Sequence, residues 1–386
     1  MRVLVVTVVH HPLDARIFHR EIAALRAAGH DVTYAAPFTD YEVDRPTSMA
    51  TWDLPRAVGR SRLAALRAAS WLLRSQAPHH DVVLLHDPEL LAAAWSLPRR
   101  RRGTDAEHPR RGNGPDQVAA DPVVVWDVHE DTSAAMTMKG WLPGPLRRPS
   151  ATVFTRAESA AAGHVRLLLA EHRYQERFDA PHPVVPNSTP VPAQVAPPGD
   201  DRVVYLGALT RARGGFELID VGRLLRGSGV ALHVIGSSTD PALARALAAA
   251  STAGDLVWHG FVPNDRALEL VAGAMAGLSL LHDEANYRHS QPTKVIEYMA
   301  HGLAVVTTPT PLAAELVQGA DCGVVVPFKS PEAAAEAIRE LAADSDLVAR
   351  LAANGHAEAL RSHNWDLDGP RFVAVLEEWV GTDADA

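Results

Sequence analysis

Residues 290–308 read SQPTKVIEYMAHGLAVVTT, and within them Lys294 and Glu297 stand three apart. Pro292 suits the first turn of a helix, where its missing N–H costs nothing, and Gly302 suits the C-terminal cap. Val295 and Met299 lie four apart and can pack inward. Lys294 and Glu297 then share one face near the positive end of that helix. Its free backbone N–H groups from Thr293 onward, together with a lysine ammonium, make an anion site suited to a diphosphate. Glu297 is able to accept hydroxyl hydrogens from a ribose. The bland alternative is an ordinary surface Lys–Glu pair. Lysine is scarce in the chain, at three residues (Lys139, Lys294 and Lys329) beside abundant arginine, so the placement of this one stands out.

A second segment, VVYLGALTRARGGFELI at 203–219, reads as a buried strand ending at Gly207, a basic loop, and a helix opened by Gly214 and Gly215. Glycine there lets the backbone approach an anion, and Arg213 can donate a forked pair of hydrogen bonds to phosphate oxygens. A strand–helix turn with a solvated arginine would look the same. The spacing is neither a Gly-x-Gly-x-x-Gly dinucleotide loop nor a P-loop.

The elements that must position these residues are legible as continuous apolar runs. RVLVVTVV, DVTYAAP, DVVLLH, PVVVWDVH and ATVFT occupy the first half, and DRVVYLG, ALHVIG, DLVWHG, AGLSLL, LAVVTT and CGVVVP the second. Such runs alternating with helices indicate parallel sheets buried on both faces. Helical patterns fall at about 15–28, 57–76, 157–171, 214–226, 240–252, 264–273, 292–301 and 331–361, with a final amphipathic helix from Trp365. The fold class expected is α/β, with two Rossmann-like doubly wound parallel-sheet domains facing a central cleft. The expected boundaries are 1–190 and 196–365, with a C-terminal helix over 366–386 packing back on the first domain. The proline-rich stretch 181–200 reads as the linker. The polar, basic stretch from Arg99 reads as a surface loop between two strands. Ligands of such sheets sit beyond the carboxyl ends of the strands.

The chain of 386 residues is long enough for two cores, and 47% of it is apolar. A net charge of −9 argues against a nucleic-acid partner, whose phosphates are neutralised by basic side chains. The lone Cys322 forbids an intrachain disulfide and gives no sign of an oxidising compartment. The apolar N-terminus lacks a cleavage site, and no apolar run is long enough to span a bilayer, so a cytoplasmic location is expected.

Taken together, the two segments resemble the retaining GT-B glycosyltransferases of family 4, the glycosyl transferases group 1. The resemblance extends to HHPLDARIF at 10–18 with Glu21, LHDPELL at 85–91, WDVHE at 126–130, and the VVPN that ends at Asn187. It implies an enzyme moving a sugar from a UDP- or GDP-sugar to a small-molecule acceptor, with retention of anomeric configuration and without a metal or other cofactor. It also implies roles. Arg213 and Lys294 bind the donor diphosphate, Glu297 the ribose, and the turn at 259–263 around Val262 the base. Gly207, His289, Ser290 and Thr293 line the donor. His129 faces the donor sugar, Glu130 and Asp127 orient His129 or the acceptor, and Asp14 and Arg16 contact donor or acceptor.

Three positions depart from the family pattern. His289 stands where a sugar-holding glutamate is expected, Ala208 where an arginine is usual, and His10-His11-Pro12 where the first loop is usually glycine-rich. Two further readings compete. The basic, amphipathic stretch 56–76 with Trp71 fits an enzyme acting on a lipid-linked or polysaccharide acceptor at a membrane surface. A GT-B nucleotide-sugar epimerase, or a sugar-binding protein without transfer, would also tolerate the missing glutamate.

Overall fold

A computed structural model describes residues 1–94, 97, 121–129, 164–289 and 291–385 of the chain; side chains are left aside for Asn264, Asp265, Asn286, His289 and 383–385. Twelve strands lie among them: β1 (Arg2–Val6), β2 (Asp31–Ala36), β3 (Ala50–Asp53), β4 (Val82–Leu85), β5 (Val123–Val128), β6 (Arg166–Leu169), β7 (Arg202–Leu206), β8 (Ala231–Ile235), β9 (Val257–Gly260), β10 (Ala276–Ser279), β11 (Ala304–Thr307) and β12 (Gly323–Val325). They form two six-stranded sheets in the orders β3-β2-β1-β4-β5-β6 and β12-β11-β10-β7-β8-β9, parallel throughout. These are the two doubly wound sheets of the GT-B architecture. The cause is visible in single strands. Val3, Leu4, Val5 and Val6 are all fully buried, which a sheet covered on one face only would not allow.

By contact density the chain divides into Met1–Pro186 with Leu367–Ala386, and Asn187–Asp366. In the first unit Leu4, Val6, Val83, Leu85 and Trp126 pack with Leu72 and Leu73 of the helix Arg62–Gln76. The helix Trp365–Asp385 adds Phe372 and Leu376, both fully buried, and its Glu377 meets His30 at 3.1 Å. In the second unit Val203, Tyr205 and Leu278 pack on one sheet face with Leu218 and Ile338, and Val204 and Val305 on the other with Val295 and Met299.

Two elements depart from the sequence reading. Residues 157–171 were expected to be helical, but β6 lies at Arg166–Leu169 and pairs with β5 in parallel. A short apolar run such as RLLL carries no periodicity that separates strand from helix, and pairing with β5 decides the matter. β3, with the sequence ATWD, is a half-exposed edge strand too short and too polar to announce itself. Residues 157–163, the ATVFT run and the loop from Arg99 lie outside the described residues, save Asp121 and Pro122.

In each sheet the strand order reverses once, between β1 and β4 and between β7 and β10. Loops leaving neighbouring strands at such a point diverge to opposite faces and leave a crevice beyond the carboxyl ends. Asp14 and Arg16 follow β1, Gly207 and Arg213 follow β7, and Lys294 and Glu297 follow β10.

Candidate active site

In the second unit β7 ends at Leu206 and the chain turns through Gly207, at φ +122°, into the 3-10 turn Arg211–Arg213. Thr210 Oγ1 accepts the Arg213 N–H, and Gly214, at φ +77°, opens the helix Gly215–Leu224 with no side-chain cap. A Cβ on Gly214 would lie 2.3 Å from the Leu280 carbonyl oxygen. Only glycine admits both the left-handed backbone and that approach to the chain leaving β10. His282, in that same segment, donates its backbone N–H to Ala212 at 2.8 Å, and its Nε2 lies 2.8 Å from Glu217 Oε1. The Arg213 turn is thus tied to the end of β10 from two sides.

Lys294 lies in the first turn of the helix Thr293–Ala300, which also lacks a side-chain cap. Its Nζ sits 3.8 Å from the centroid of the Tyr205 ring, is buried, and has no hydrogen-bond partner. A Cβ on Gly207 would come within 3.7 Å of it. Burial and the neighbouring Arg213 push the Lys294 amine well below the usual lysine range, against the pull of Glu297. Gly207, Arg213 and Lys294 therefore converge, with Glu297 buried one turn along the helix. Thr293 is exposed at the helix start. Val262 packs partly buried on the core beside β9, so its turn offers backbone more than side chain. His289 closes the short helix Ala285–His289 and Ser290 lies outside the described residues.

In the first unit the candidates gather beyond β1, β4 and β5. Asp127, at the end of β5, accepts from Arg16 Nε at 2.7 Å and Arg16 Nη2 at 2.7 Å. Arg16 also meets Glu21 Oε1 at 2.9 Å and the Val185 carbonyl. Burial works against the Asp127 anion, but Arg16, His129 and His86 outweigh it and hold its carboxyl well below the usual range. Glu21 goes the other way: burial and the neighbouring Asp127 anion push its carboxyl well above the usual range, against the pull of Arg16. Arg16 and Asp127 thus form a buried, two-point ion pair. Asp14 accepts the N–H groups of Arg16 and Ile17, capping the π-helical turn Ile17–Ile22. Burial opposes the Asp14 anion, and His10 with those amides prevails, lowering its pKa. Glu130 lies outside the described residues.

Three groups that the sequence reading quoted without a role belong to this cluster. Asp87, just past β4, accepts from Thr7 Oγ1, Val8 N, Val9 N and His10 Nδ1. His86 lies buried 3.4 Å from both Glu21 and Asp127. His10 reaches His129. Their signal in the sequence was polar residues directly following an apolar strand, the place where a parallel sheet exposes its loops. Among the described residues, His86, Asp127 and His129 bring ligand atoms within 4.8 Å of one another, as a metal site would. The Arg16 guanidinium hydrogen-bonds both Asp127 oxygens, so a cation there would sit against a fixed positive charge.

Residues 191–358 match the family model of glycosyl transferases group 1. No curated protein matches the chain in sequence. Among solved structures, the sucrose-phosphate synthase of Thermosynechococcus elongatus superposes with a TM-score of 0.71 at 16% identity, covering 99% of this chain and 99% of that one. HepE of Anabaena, solved with UDP and glucose, gives 0.67 at 14% identity over 98% and 99%. WaaG, a glycosyltransferase involved in lipopolysaccharide biosynthesis, gives 0.65 at 16% over 96% and 98%. At these identities the likeness is one of fold.

Proposed function

We propose that this chain, a glycosyltransferase of the GT-B fold, takes its sugar from a nucleotide diphosphate donor bound by the second unit. The observation that carries the reading is the buried, unpartnered Nζ of Lys294. An amine held out of water without an acceptor is costly, and a phosphate oxygen would satisfy it. Arg213 and the uncapped starts of the helices Gly215–Leu224 and Thr293–Ala300 add to the same anion site. Glu297 takes the ribose hydroxyls, and the turn at 259–263 with Val262 takes the base. UDP is the favoured nucleotide, since the similarly folded HepE was solved with UDP and glucose.

Departure of the nucleoside diphosphate is the step that builds negative charge. Positive groups already fixed there lower that barrier more than they tighten ground-state binding. Arg213 and Lys294 supply that charge in a reaction that needs no metal or other cofactor. The acceptor is a small molecule that attacks from the face the leaving group vacates, with retention of configuration, in a biosynthetic pathway of the cytoplasm. His289, in place of a sugar-holding glutamate, favours an unusual or deoxygenated sugar. Lys294→Ala is expected to abolish acceptor-dependent release of nucleoside diphosphate while leaving the circular dichroism spectrum and melting temperature near wild type. Wild-type turnover in that variant defeats the assignment. Release without any acceptor would point to an epimerase or hydrolase instead.

One observation favours a second acceptor class. On the helix Arg62–Gln76 and the turn before it, Arg60, Leu63, Arg67, Trp71 and Arg74 form one exposed stripe, with Leu63 66% and Trp71 57% exposed and no acidic residue in the helix. Arginines interleaved with exposed apolar side chains suit an anionic bilayer, and so a lipid-linked acceptor. Sedimentation with phosphatidylglycerol vesicles tests this. Binding that salt and Trp71→Ser each abolish supports it, and no binding at low salt removes it.

A further inference from the structure

Two Asp–His pairs meet head to head beyond β1 and β5. His10 Nδ1 lies 2.7 Å from Asp87 Oδ1, and His129 Nδ1 lies 3.0 Å from Asp127 Oδ2. The other two ring nitrogens, His10 Nε2 and His129 Nε2, are 3.1 Å apart, with the rings inclined at 62°. Each of these three contacts needs one hydrogen, because two lone pairs facing each other at such distances repel. Both carboxylates are acceptors on their other sides as well. Asp87 Oδ2 receives Thr7 Oγ1 and the amides of Val8 and Val9, and Asp127 receives two N–H groups of Arg16. The Nδ1 atoms are therefore the donors. Two neutral rings that each spend their one hydrogen on Nδ1 have none left for the contact between them.

We infer that Asp87, His10, His129 and Asp127 together hold three protons, one more than two carboxylates and two neutral imidazoles would carry, and that His10 is thereby a positioning residue for His129. The third proton belongs to the rings, because Asp87 accepts from Thr7, Val8 and Val9 and its carboxyl is held below the usual range. The surroundings favour it. Asp14 acts electrostatically on both rings, and Asp87 and Asp127 are anions, whereas Arg16 is the permanent cation of the cluster. Burial raises the Glu21 carboxyl and lowers the adjoining His86 imidazole, so neither is favoured in its charged form. Tyr41 stacks edge-on with His11 at the rim, and burial holds its hydroxyl protonated while its O–H donates to the Val9 carbonyl. An extra proton partly offsets the Asp14, Asp87 and Asp127 anions.

The consequence concerns what His129 offers a substrate. Both its nitrogens are engaged while the third proton is present, so the ring is locked and only its edge is on offer. Loss of that proton leaves the two Nε2 atoms facing each other without a hydrogen, and the rings must part. The catalytic meaning of this rests on the proposed function, in which His129 faces the donor sugar; the proton count does not.

The test uses the full chain labelled with 15N-histidine, with the His10 and His129 signals assigned through His10→Gln and His129→Gln. At neutral pH three hydrogens are expected on the four ring nitrogens of the pair, with a scalar coupling between the two Nε2 atoms. Two hydrogens, or a stoichiometric divalent metal at this pair by elemental analysis, overturn the inference. In the transfer assay, glutamine at position 10 can donate to His129 Nε2 without a third proton. His10→Gln is therefore expected to remove one ionisation from the pH profile of kcat/KM. A profile lowered by one factor at every pH would mean that His10 is merely structural and would overturn the positioning role. The NMR result stands whether or not a nucleotide binds, so failure of the inference and failure of the proposed function are separable.

Discussion

At the scale of single residues, Lys294 has a tyrosine ring beneath it and no acceptor for its Nζ. Its amine titrates well below the usual lysine range because burial and Arg213 disfavour the ammonium. An anion arriving at Nζ reverses that balance and restores the charged form. Binding then takes up a proton, and by linkage affinity must weaken as pH rises. Calorimetry of UDP binding in two buffers of different ionisation enthalpy measures the uptake directly. Zero proton uptake on tight binding would show that Lys294 is already charged in the free protein. Lys294, Glu297 and Arg213 were all legible in the sequence, because helix punctuation places the first two and a glycine pair places the third. The His10–His129 contact was not. Those residues are 119 positions apart, and nothing in either local segment specifies that their rings point at each other.

At the scale of elements, the helix Thr293–Ala300 is pressed onto β10. Gly277 is the reason it can sit there, since a Cβ at that position would lie 2.2 Å from the Tyr298 ring. The Tyr298 hydroxyl accepts from Leu206 N at 2.8 Å and donates to the Leu278 carbonyl at 3.1 Å. That one side chain thus fastens the helix carrying Lys294 to the strands on both sides of the switch point. Gly277→Ala is expected to cost about 1–3 kcal/mol from overpacking, read as a lower urea midpoint, and to weaken nucleotide binding because Lys294 moves with its helix. An unchanged midpoint would mean that the helix relaxes at no cost. The long apolar runs and capped helices of the second unit were visible in the sequence for a physical reason: continuous valine and leucine runs occur where a strand is buried on both faces. β3 and β6 escaped because an edge strand and a four-residue run have no pattern of their own. Their assignment comes from the neighbours they pair with.

At the scale of the whole molecule, one unit is continuous in sequence and the other is not. The chain leaves the first unit after Pro186 and returns to it at Leu367. The returning helix brings Phe372 and Leu376, fully buried, and Trp379 at 9% exposure. By area alone each is worth roughly 1.5–3 kcal/mol. Removing Leu367–Ala386 is expected to strip hydrogen-exchange protection from β1 and β4 while the amides of β7 and β10 keep theirs. Equal protection in the truncated and intact chains would refute a structural debt of the first unit to this helix. The same discontinuity sets an order on the ribosome. Synthesis delivers the N-terminal strands first, yet the last pieces of their core follow only after the second unit has been made. The second unit is the first that can be finished, and the nascent chain must carry the first sheet, with apolar surface awaiting its covering helix, for as long as the intervening 180 residues take to be made.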